Sequence, residues 1–243
     1  MSDARLAAEI AQEAGRLLLA IRAEGRETDP ALGKRGDAEA NRLILARLAA
    51  DRPGDAVLSE ESVDDPARCA ASRVWIIDPL DGTREYAEGR GDWAVHVALA
   101  IDGQPAVGAV ALPVSGELFA TDPAPPTPAA GAQLRFTVSR TRPPAVAVRA
   151  AEALGATLVP IGSAGAKAMA VVRGDVDAYL HTGGQHQWDS CAPVAVALAA
   201  GLHASRIDGT PLVYNAADSY LPDLLICRQE LVQPIARALR ESS

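Results

Sequence analysis

Two carboxylates, Asp78 and Asp81, stand three residues apart at the end of an apolar run, residues 74–77, which the sequence predicts to be a buried strand. Pro79 fixes its own backbone φ and favours an extended conformation at Asp78, and Gly82 tolerates a turn that other residues resist. A rigid turn would therefore hold two acidic groups and a Gly-Thr pair in one place. Such groups suit a hard divalent cation beside phosphate oxygens, although an ordinary polar turn uses the same residue types.

Further carboxylates stand at the ends of other predicted elements. Glu60 and Glu61 follow a short predicted strand, and Asp189 opens a strongly apolar predicted helix. Taken singly, the glutamates are equally consistent with a solvated surface, and Asp189 with a helix N-cap. If the chain brings all three segments together, their oxygens suit two Mg²⁺ ions about 3.5–4 Å apart, an arrangement that hydrolyses phosphate esters.

Composition excludes several other classes of protein. The 243 residues carry a net charge of −8, which argues against an electrostatic nucleic-acid binder. The three cysteines are scattered, which indicates reduced thiols and neither a disulfide framework nor a zinc site. No apolar run approaches the roughly 18 residues that a membrane span needs, and the first residues lack a signal-peptide pattern. The sequence therefore predicts a soluble, cytoplasmic protein without a membrane or nucleic-acid partner.

The order of predicted elements indicates two domains. In the first half, helices are predicted over 4–23 and 37–50, with Asp37 as an N-cap, and glycines, Pro30 and charges predict a break between them over 25–36. Strands are predicted over 56–58, 74–77, 93–100, 105–112 and 117–120. A turn at Asp102-Gly103 predicts a hairpin. In the second half, strands are predicted over 135–139, 157–160, 176–181, 204–207 and 224–227, and helices over 145–154, 163–172, 190–200 and 230–240.

The two halves differ in character. The first reads as α+β, whereas the second alternates strands with helices as an α/β layer does. Between them, residues 121–132 contain four prolines and show no periodicity. The sequence therefore predicts an N-terminal α+β domain over 1–132 and a C-terminal α/β domain over 133–243.

Three signatures resemble those of the inositol monophosphatase family of magnesium-dependent, lithium-sensitive phosphatases. They are Ser-Glu-Glu-Ser at 59–62, Trp-Ile-Ile-Asp-Pro-Leu-Asp-Gly-Thr at 75–83, and Trp-Asp at 188–189 before a helix with Ala-Pro at 192–193. The resemblance covers nearly the whole chain and implies a layered αβαβα sugar-phosphatase fold. Residues 81–86, 139–143 and 162–169 look most like the bacterial CysQ branch, which removes the 3′-phosphate of adenosine 3′,5′-bisphosphate.

The resemblance also implies the roles of individual residues. The first magnesium would be held by Glu60, Asp78 and the carbonyl of Leu80, and the second by Asp78, Asp81 and Asp189. The catalytic residues would be Asp37, Glu60 and Thr83, with Thr83, oriented by Asp37, polarising the attacking water. The substrate would contact Glu60, Leu80, Asp81, Gly82, Thr83, Ser163, Lys167 and Asp189.

One departure from the family pattern concerns a third magnesium. Relatives usually carry a longer loop between a lysine and the aspartate that matches Asp37, whereas only two residues separate Lys34 from Asp37 here. That loop helps to order a further, weakly held metal. The sequence therefore predicts two Mg²⁺ ions and leaves a third open, together with any role for Lys34.

On the substrate side, residues 162–165 (Gly-Ser-Ala-Gly) precede a predicted helix whose first turn carries Lys167. The free N–H groups of such a terminus favour anions, so by resemblance this segment would cradle the second phosphate or the ribose of a nucleotide. A plain Gly-Ser cap is the alternative. Further candidates for a polyanion are Arg84, Arg140 and Arg142.

The histidines give weaker indications. His181 and His186 are interpreted as loop residues near the pocket, because no Cys/His spacing supports zinc. His96 stands in an alternating strand and is interpreted as a core or inter-strand histidine.

Together these observations predict a Mg²⁺-dependent phosphomonoesterase, acting as a monomer or homodimer. It would convert adenosine 3′,5′-bisphosphate to AMP and phosphate, in sulfate assimilation. Inositol 1-phosphate and fructose 1,6-bisphosphate remain alternative substrates. A non-catalytic, anion-binding regulatory protein on the same scaffold is the alternative of another class.

Overall fold

Seven helices and ten strands are arranged in a computed structural model that describes residues 1–25 and 30–241. Helices α1 to α7 span, in order, Asp3–Ala23, Ala31–Asp51, Thr83–Ala87, Ala145–Leu154, Ala164–Arg173, Gln187–Ala199 and Val232–Glu241. Strands β1 to β10 span Ala56–Ser59, Arg73–Asp81, Ala94–Ile101, Gln104–Leu112, Glu117–Ala120, Arg135–Ser139, Thr157–Ile161, Ala178–His186, His203–Ser205 and Tyr220–Cys227. Two short 3₁₀-helices cover Pro66–Ala70 and Gln229–Leu231.

The outer layer of the first half consists of α1 and α2. The apolar face of α1, with Leu6, Ile10 and Leu18 fully buried, packs with α2 against one face of the first sheet. This agrees with the helix predicted over 4–23. One face of α1 is apolar because it packs in the core, and the opposite face is polar because it meets water.

The predicted start of the second helix is wrong. Helix α2 begins at Ala31, so Asp37 is no N-cap but lies well inside the helix, and Lys34 is on an exposed helical turn and not in a loop. Part of the predicted break, residues 26–29, lies outside the described residues. The glycines that suggested a break instead permit close packing, because a Cβ at Gly33 would approach the Thr83 Cγ2 to 2.6 Å.

The first sheet has the order β1-β2-β3-β4-β5, parallel between β1 and β2 and antiparallel elsewhere. The predicted hairpin between β3 and β4 is confirmed, with Asp102 and Gly103 at φ 49° and 76°. Strand β2 does not end at Ile77 as predicted but continues through Pro79 to Asp81, with a register shift against β3 between Asp78 and Asp81. This register shift lies at the end of β2 that carries Asp78 and Asp81, where an irregularity changes the direction of the side chains.

Helices α5 and α6 form the middle layer, between the two sheets. They are buried on nearly all sides, because apolar residues of the first sheet pack on one side and those of the second sheet on the other. Small side chains let the layers approach closely. Gly108 of β4 is the clearest case, since a Cβ there would lie 2.6 Å from the Ala192 carbonyl oxygen and 2.8 Å from the Ala195 Cβ.

The second sheet has the order β7-β6-β8-β10-β9 and is covered on its far side by α4 and α7. Its strands β6, β7 and β8 are parallel, as the alternating pattern predicted, and β9 and β10 run antiparallel to the strands they pair with. Strand β8 extends to His186, and α6 begins three residues earlier than predicted. His181 and His186 therefore lie in a strand, and their assignment to a loop is wrong.

The five layers are helices, sheet, helices, sheet, helices, which confirms the predicted αβαβα architecture. The proline-rich segment 121–132 joins the last strand of the first sheet to the first strand of the second. The division into domains over 1–132 and 133–243 stays a prediction. Within residues 1–25 and 30–241, no helix combines the length and the apolar character needed to cross a membrane.

Replacing Gly108 by alanine should destabilise the protein by about 1–3 kcal/mol, because the added methyl group meets backbone atoms of α6 that cannot turn aside. Urea denaturation measures the effect as a lower midpoint. The matched control is Gly54→Ala, where nothing lies within 4 Å of the new methyl group; it should stay within about 0.5 kcal/mol of the wild type. Equal midpoints for the two variants would contradict the close packing of β4 on α6.

Candidate active site

Three aspartates from distant parts of the chain meet at the end of β2. Asp78 and Asp81 come from that strand and Asp189 from the first turn of α6, and each offers a carboxylate oxygen within 4.8 Å of the other two. Asp78 and Asp81 are buried, and Asp189 is partly so. We call these residues the aspartate trio. The sequence predicted this convergence from the three signatures.

Asp81 is held by the N-terminus of α5. Its Oδ1 accepts a hydrogen bond from the Ala164 N–H at 3.1 Å, and its Oδ2 one from the Gly165 N–H at 2.5 Å. Burial alone would raise the pKa of Asp81, but the nearby His96 and Lys167 and the Gly165 N–H hold it below its ordinary value. Asp81 therefore remains ionised, as a metal ligand must.

Asp189 is held by its own helix. Its Oδ2 accepts a hydrogen bond from the backbone N–H of His186, the residue before α6, at 2.6 Å. Burial and the charge of Asp81 raise the pKa of Asp189 to about 7 despite this bond. Asp189 is not the N-cap that the sequence offered as the alternative, because α6 begins at Gln187 and His186 is the N-cap. Its side chain still bonds the helix terminus from the first turn, while the carboxylate belongs to the trio.

Asp78 also lies in an unfavourable field. Its Oδ1 accepts one hydrogen bond, from the Leu80 N–H at 3.1 Å. Burial raises the pKa of Asp78 well above its ordinary value, and the charges of Glu60, Asp81 and Asp189 act in the same direction. Glu60 lies outside the trio, and the residue as a whole is exposed. Its carboxyl group is nevertheless enclosed, and this enclosure, together with the charge of the neighbouring Glu61, raises the pKa of Glu60 too.

Asp37 and Thr83 are joined across two elements. The Thr83 hydroxyl lies 3.3 Å from the Asp37 Oδ2 and 3.2 Å from the Leu80 carbonyl oxygen. Burial, with the charges of Glu61 and Glu60, raises the pKa of Asp37 to about 8. The other carboxylate oxygen of Asp37 is buried and has no hydrogen-bond partner within residues 1–25 and 30–241.

These groups fit magnesium. Buried carboxylates with raised pKa values and an unpartnered oxygen indicate a place that lacks positive charge. The donors are oxygens, which Mg²⁺ prefers, and Gly82, in the left-handed region at φ 90°, turns the chain from β2 into α3 beside them. The trio therefore suits a cation, and ligation by Glu60 and the Leu80 carbonyl stays a prediction.

His96 contacts the aspartate trio, which its interpretation as a core or inter-strand histidine did not predict. It is fully buried on β3, with its Nε2 3.2 Å from the Asp81 Oδ2 and its Nδ1 3.1 Å from the Trp188 carbonyl oxygen. Burial alone would lower the pKa of His96, but Asp81 and the Trp188 carbonyl raise it. The available signal was a lone histidine among the apolar residues of a strand that pairs with β2.

The N–H groups at the start of α5, where the sequence predicts a cradle for a phosphate or a ribose, are already engaged, and the cradle itself stays a prediction. The first N–H groups of the helix are bonded to Asp81, and the next, that of Ala166, to the Ser163 hydroxyl at 3.1 Å. Ser163 is thus a helix N-cap, which was the alternative interpretation. The ammonium of Lys167 is buried and donates to the carbonyls of Gly162 and Ser163, and burial lowers its pKa to about 8.

A cleft of about 250 Å³ adjoins the trio on the substrate side. Its walls include Arg142, whose side chain is exposed, and Arg84. Arg140 is engaged elsewhere, in ion pairs with Glu85 at 3.0 Å and Glu88 at 2.9 Å. Further polar groups of the cleft come from Ser139, Thr141, Ser163, Lys167, His181 and Gln185.

Comparison with known proteins agrees with the fold and the site. The model of the inositol monophosphatase family matches residues 2–242, and the chain belongs to this family of phosphatases. Among relatives, a Mycobacterium leprae protein named 3′-phosphoadenosine 5′-phosphate phosphatase is 54% identical over 260 residues, covering 99% of this chain and 94% of its own. The Escherichia coli 3′(2′),5′-bisphosphate nucleotidase CysQ is 32% identical over 199 residues, covering 76% and 80%.

Among solved structures, that of CysQ from Bacteroides thetaiotaomicron is similar with a TM-score of 0.84 and 25% identity, covering 93% of this chain and 97% of that one. An inositol monophosphatase from Anabaena matches with a TM-score of 0.77 and 23% identity, covering 98% and 94%. The second likeness concerns the fold.

The metal-free protein should lose stability as pH rises from 5 to 8. A carboxyl group whose folded pKa is raised binds more protons in the folded than in the unfolded state, so the free energy of unfolding falls as pH passes from the unfolded to the folded pKa. Asp37, at about 8, and Asp189, at about 7, place this loss in that interval. Melting temperatures measured in a chelator at pH 5 and pH 8 should show the decrease.

The variant Asp37→Asn tests the contribution of Asp37 to this loss of stability with pH. It should melt with a smaller decrease between the two pH values, because the buried group no longer ionises. The exposed Glu152→Gln of α4 is the control and should follow the wild type. A decrease in Asp37→Asn equal to that of the wild type would contradict the role given to this carboxyl group.

Proposed function

We propose that this chain is a Mg²⁺-dependent phosphatase that removes the 3′-phosphate of adenosine 3′,5′-bisphosphate, giving AMP and phosphate in sulfate assimilation. The observation that carries the proposal is the convergence of Asp78, Asp81 and Asp189 beside the hydrogen-bonded pair of Asp37 and Thr83. The names of the 54%- and 32%-identical relatives support the choice of substrate.

Two magnesium ions would be held at this site, with a third left open. Glu60, Asp78 and the Leu80 carbonyl would ligate the first, and Asp78, Asp81 and Asp189 the second. When bound, Mg²⁺ supplies positive charge to the phosphate and makes a water more acidic.

The chain's own groups orient the reactants. With its hydroxyl proton donated to Asp37, Thr83 keeps a lone pair free to accept a hydrogen bond from the attacking water. The N–H groups of Gly82 and Thr83 begin α3 and would contact the scissile phosphate. The water oxygen then bonds to phosphorus in line as the bond to the ribose 3′-oxygen breaks, and that oxygen takes a proton. Positioning and charge carry most of such a reaction, so no phosphoenzyme is needed.

The second phosphate is assigned to Arg142. Lys167, which the family resemblance favours together with Ser163, already donates to two backbone carbonyls, and Arg140 is paired with two glutamates. Arg142 is exposed and lines the same cleft, so its guanidinium is available to a phosphate. Contacts of Ser163 and Lys167 with the substrate stay predictions, as do a cytoplasmic location and a monomeric or homodimeric state.

Phosphate release tests the proposal directly. With Mg²⁺ the wild type should hydrolyse adenosine 3′,5′-bisphosphate with a higher kcat/KM than inositol 1-phosphate or fructose 1,6-bisphosphate, and a chelator should abolish turnover. Asp78→Asn should also abolish it while retaining the bond from the Leu80 N–H, and without metal it should be more stable than the wild type, because a buried charge is gone.

Other outcomes identify the alternatives. A preference for the inositol or sugar ester would replace the substrate, and binding without turnover on the whole panel would favour the anion-binding regulatory protein. Normal turnover by Asp78→Asn would refute the metal assignment.

The variant Arg142→Ala should raise KM for adenosine 3′,5′-bisphosphate about tenfold, since a charge-assisted hydrogen bond contributes roughly 1.5–3 kcal/mol. KM for adenosine 3′-monophosphate, which lacks the second phosphate, should change little. Steady-state kinetics on both substrates measure the difference, and the exposed Arg149→Ala of α4 is the control. An equal rise for both substrates would exclude a specific contact with the second phosphate.

A further inference from the structure

The imidazole of His96 lies beside two members of the aspartate trio, Asp78 and Asp81, and beside the residue that precedes the third. Its Nε2 is 3.2 Å from the Asp81 Oδ2, and its Nδ1 is 4.0 Å from the Asp78 Oδ2. The Nδ1 also lies 3.1 Å from the carbonyl oxygen of Trp188, the residue before Asp189. One ring thus connects β3 to both aspartates of β2 and to the turn that carries the third.

The partners of both ring nitrogens are oxygens that only accept hydrogen bonds. The Nδ1 therefore donates to the Trp188 carbonyl, which sets the ring plane from the backbone of α6. The Nε2 faces the Asp81 carboxylate as an ion-pair contact and not as an aligned hydrogen bond, and this contact is attractive when the Nε2 also carries a proton. A change in the position of either strand or helix would break one of the two contacts.

The surroundings are built to admit this ring. Gly165 is the second residue of α5, and a Cβ there would overlap the His96 Nε2 and lie 3.1 Å from the Asp81 Oδ2. The absence of that side chain lets the Gly165 N–H and the imidazole reach the same carboxylate oxygen from two sides. An ordinary core histidine needs only one hydrogen-bond partner, and it does not need a missing side chain in the adjoining helix.

We propose that His96 is a positioning residue for the metal site, which holds the Asp81 carboxylate and the Trp188 carbonyl in register. Asp81 and Asp189 come from different elements, and this ring contacts Asp81 and the backbone of the residue before Asp189. The inference rests on the metal site of the proposed function. Groups that orient a metal ligand typically change metal affinity by about 10–100-fold when they are replaced.

Two variants separate the two contacts of the ring. The amide nitrogen of glutamine extends about as far as the Nε2 and can still donate to Asp81, whereas that of asparagine extends about as far as the Nδ1 and can still donate to Trp188. Binding of Mn²⁺, a paramagnetic substitute for Mg²⁺, is measured on the full chain from the electron paramagnetic resonance signal of the free ion.

We expect His96→Asn to bind Mn²⁺ at least about tenfold more weakly than the wild type, and His96→Gln to lose clearly less. In the phosphatase assay, the Mg²⁺ concentration for half-maximal activity should rise in the same order, while KM at saturating Mg²⁺ stays unchanged. Val97→Ala, a truncation of the next, fully buried residue of β3, controls for loss of stability and should bind Mn²⁺ like the wild type.

Four results would overturn the inference. If His96→Asn is folded and binds Mn²⁺ as the wild type does, or if the asparagine and glutamine variants lose the same affinity, the ring has no specific role toward Asp81. If Val97→Ala loses as much affinity as His96→Asn, the effect reflects stability alone. A wild type that binds no Mn²⁺ would refute the metal site itself, and with it the proposed function.

Discussion

Mutual repulsion among buried carboxylates is the constraint on which the rest of the site depends. Asp78, Asp81 and Asp189 lie within 4.8 Å of one another in a place where burial already disfavours charge. Without a metal ion, the features that oppose the repulsion act most strongly on Asp81: the N-terminus of α5 donates two N–H groups to it, His96 faces the same carboxylate, and Lys167 is nearby. The pKa of Asp81 is lowered, whereas those of Asp78 and Asp189 are raised although each accepts one backbone N–H. The fold thus keeps Asp81 ionised, whereas Asp78 and Asp189 need a bound cation to stabilise their charged forms. Cation binding therefore raises the stability of the folded protein.

The five layers are needed to bring these groups together. Asp81 belongs to the first sheet, whereas the amides that hold it belong to α5, a helix between the sheets. Because that middle layer packs on both sheets, its helices consist largely of alanine and valine, and Gly108 and Gly165 remove the side chains that would keep the layers apart. Close packing at Gly108 sets the distance between β4 and α6, and the bond at Gly165 sets that between the start of α5 and the end of β2.

The sequence predicts features that depend on neighbouring residues. It does not predict features that depend on contacts between distant segments. The strand and turn around Asp78 were visible because apolar residues, a proline and a glycine punctuate the chain there, and the aspartate trio followed from signatures that each occupy a few residues. Asp37 was placed on the wrong part of its helix, because Gly33 and Gly36 read as breakers; only the packing of Thr83, Leu80 and Tyr86 against them explains glycine inside a helix. His96 looked like any core residue, since nothing near it in sequence reveals that Asp81 and Trp188 meet its two nitrogens.

The use of the α5 terminus by Asp81 also bears on how such a site selects a substrate. Helix N-termini are natural phosphate sites, yet here the available amides are committed to a metal ligand, and Lys167 is turned back onto the carbonyls of the same turn. The trio and its support therefore occupy β2, β3, α5 and α6, while Arg142, on the exposed wall of the cleft, lies in the turn after β6. Because Arg142 belongs to a separate segment, this part of the wall can change without disturbing the cation site. This separation gives a physical reason why one scaffold accommodates different phosphate esters.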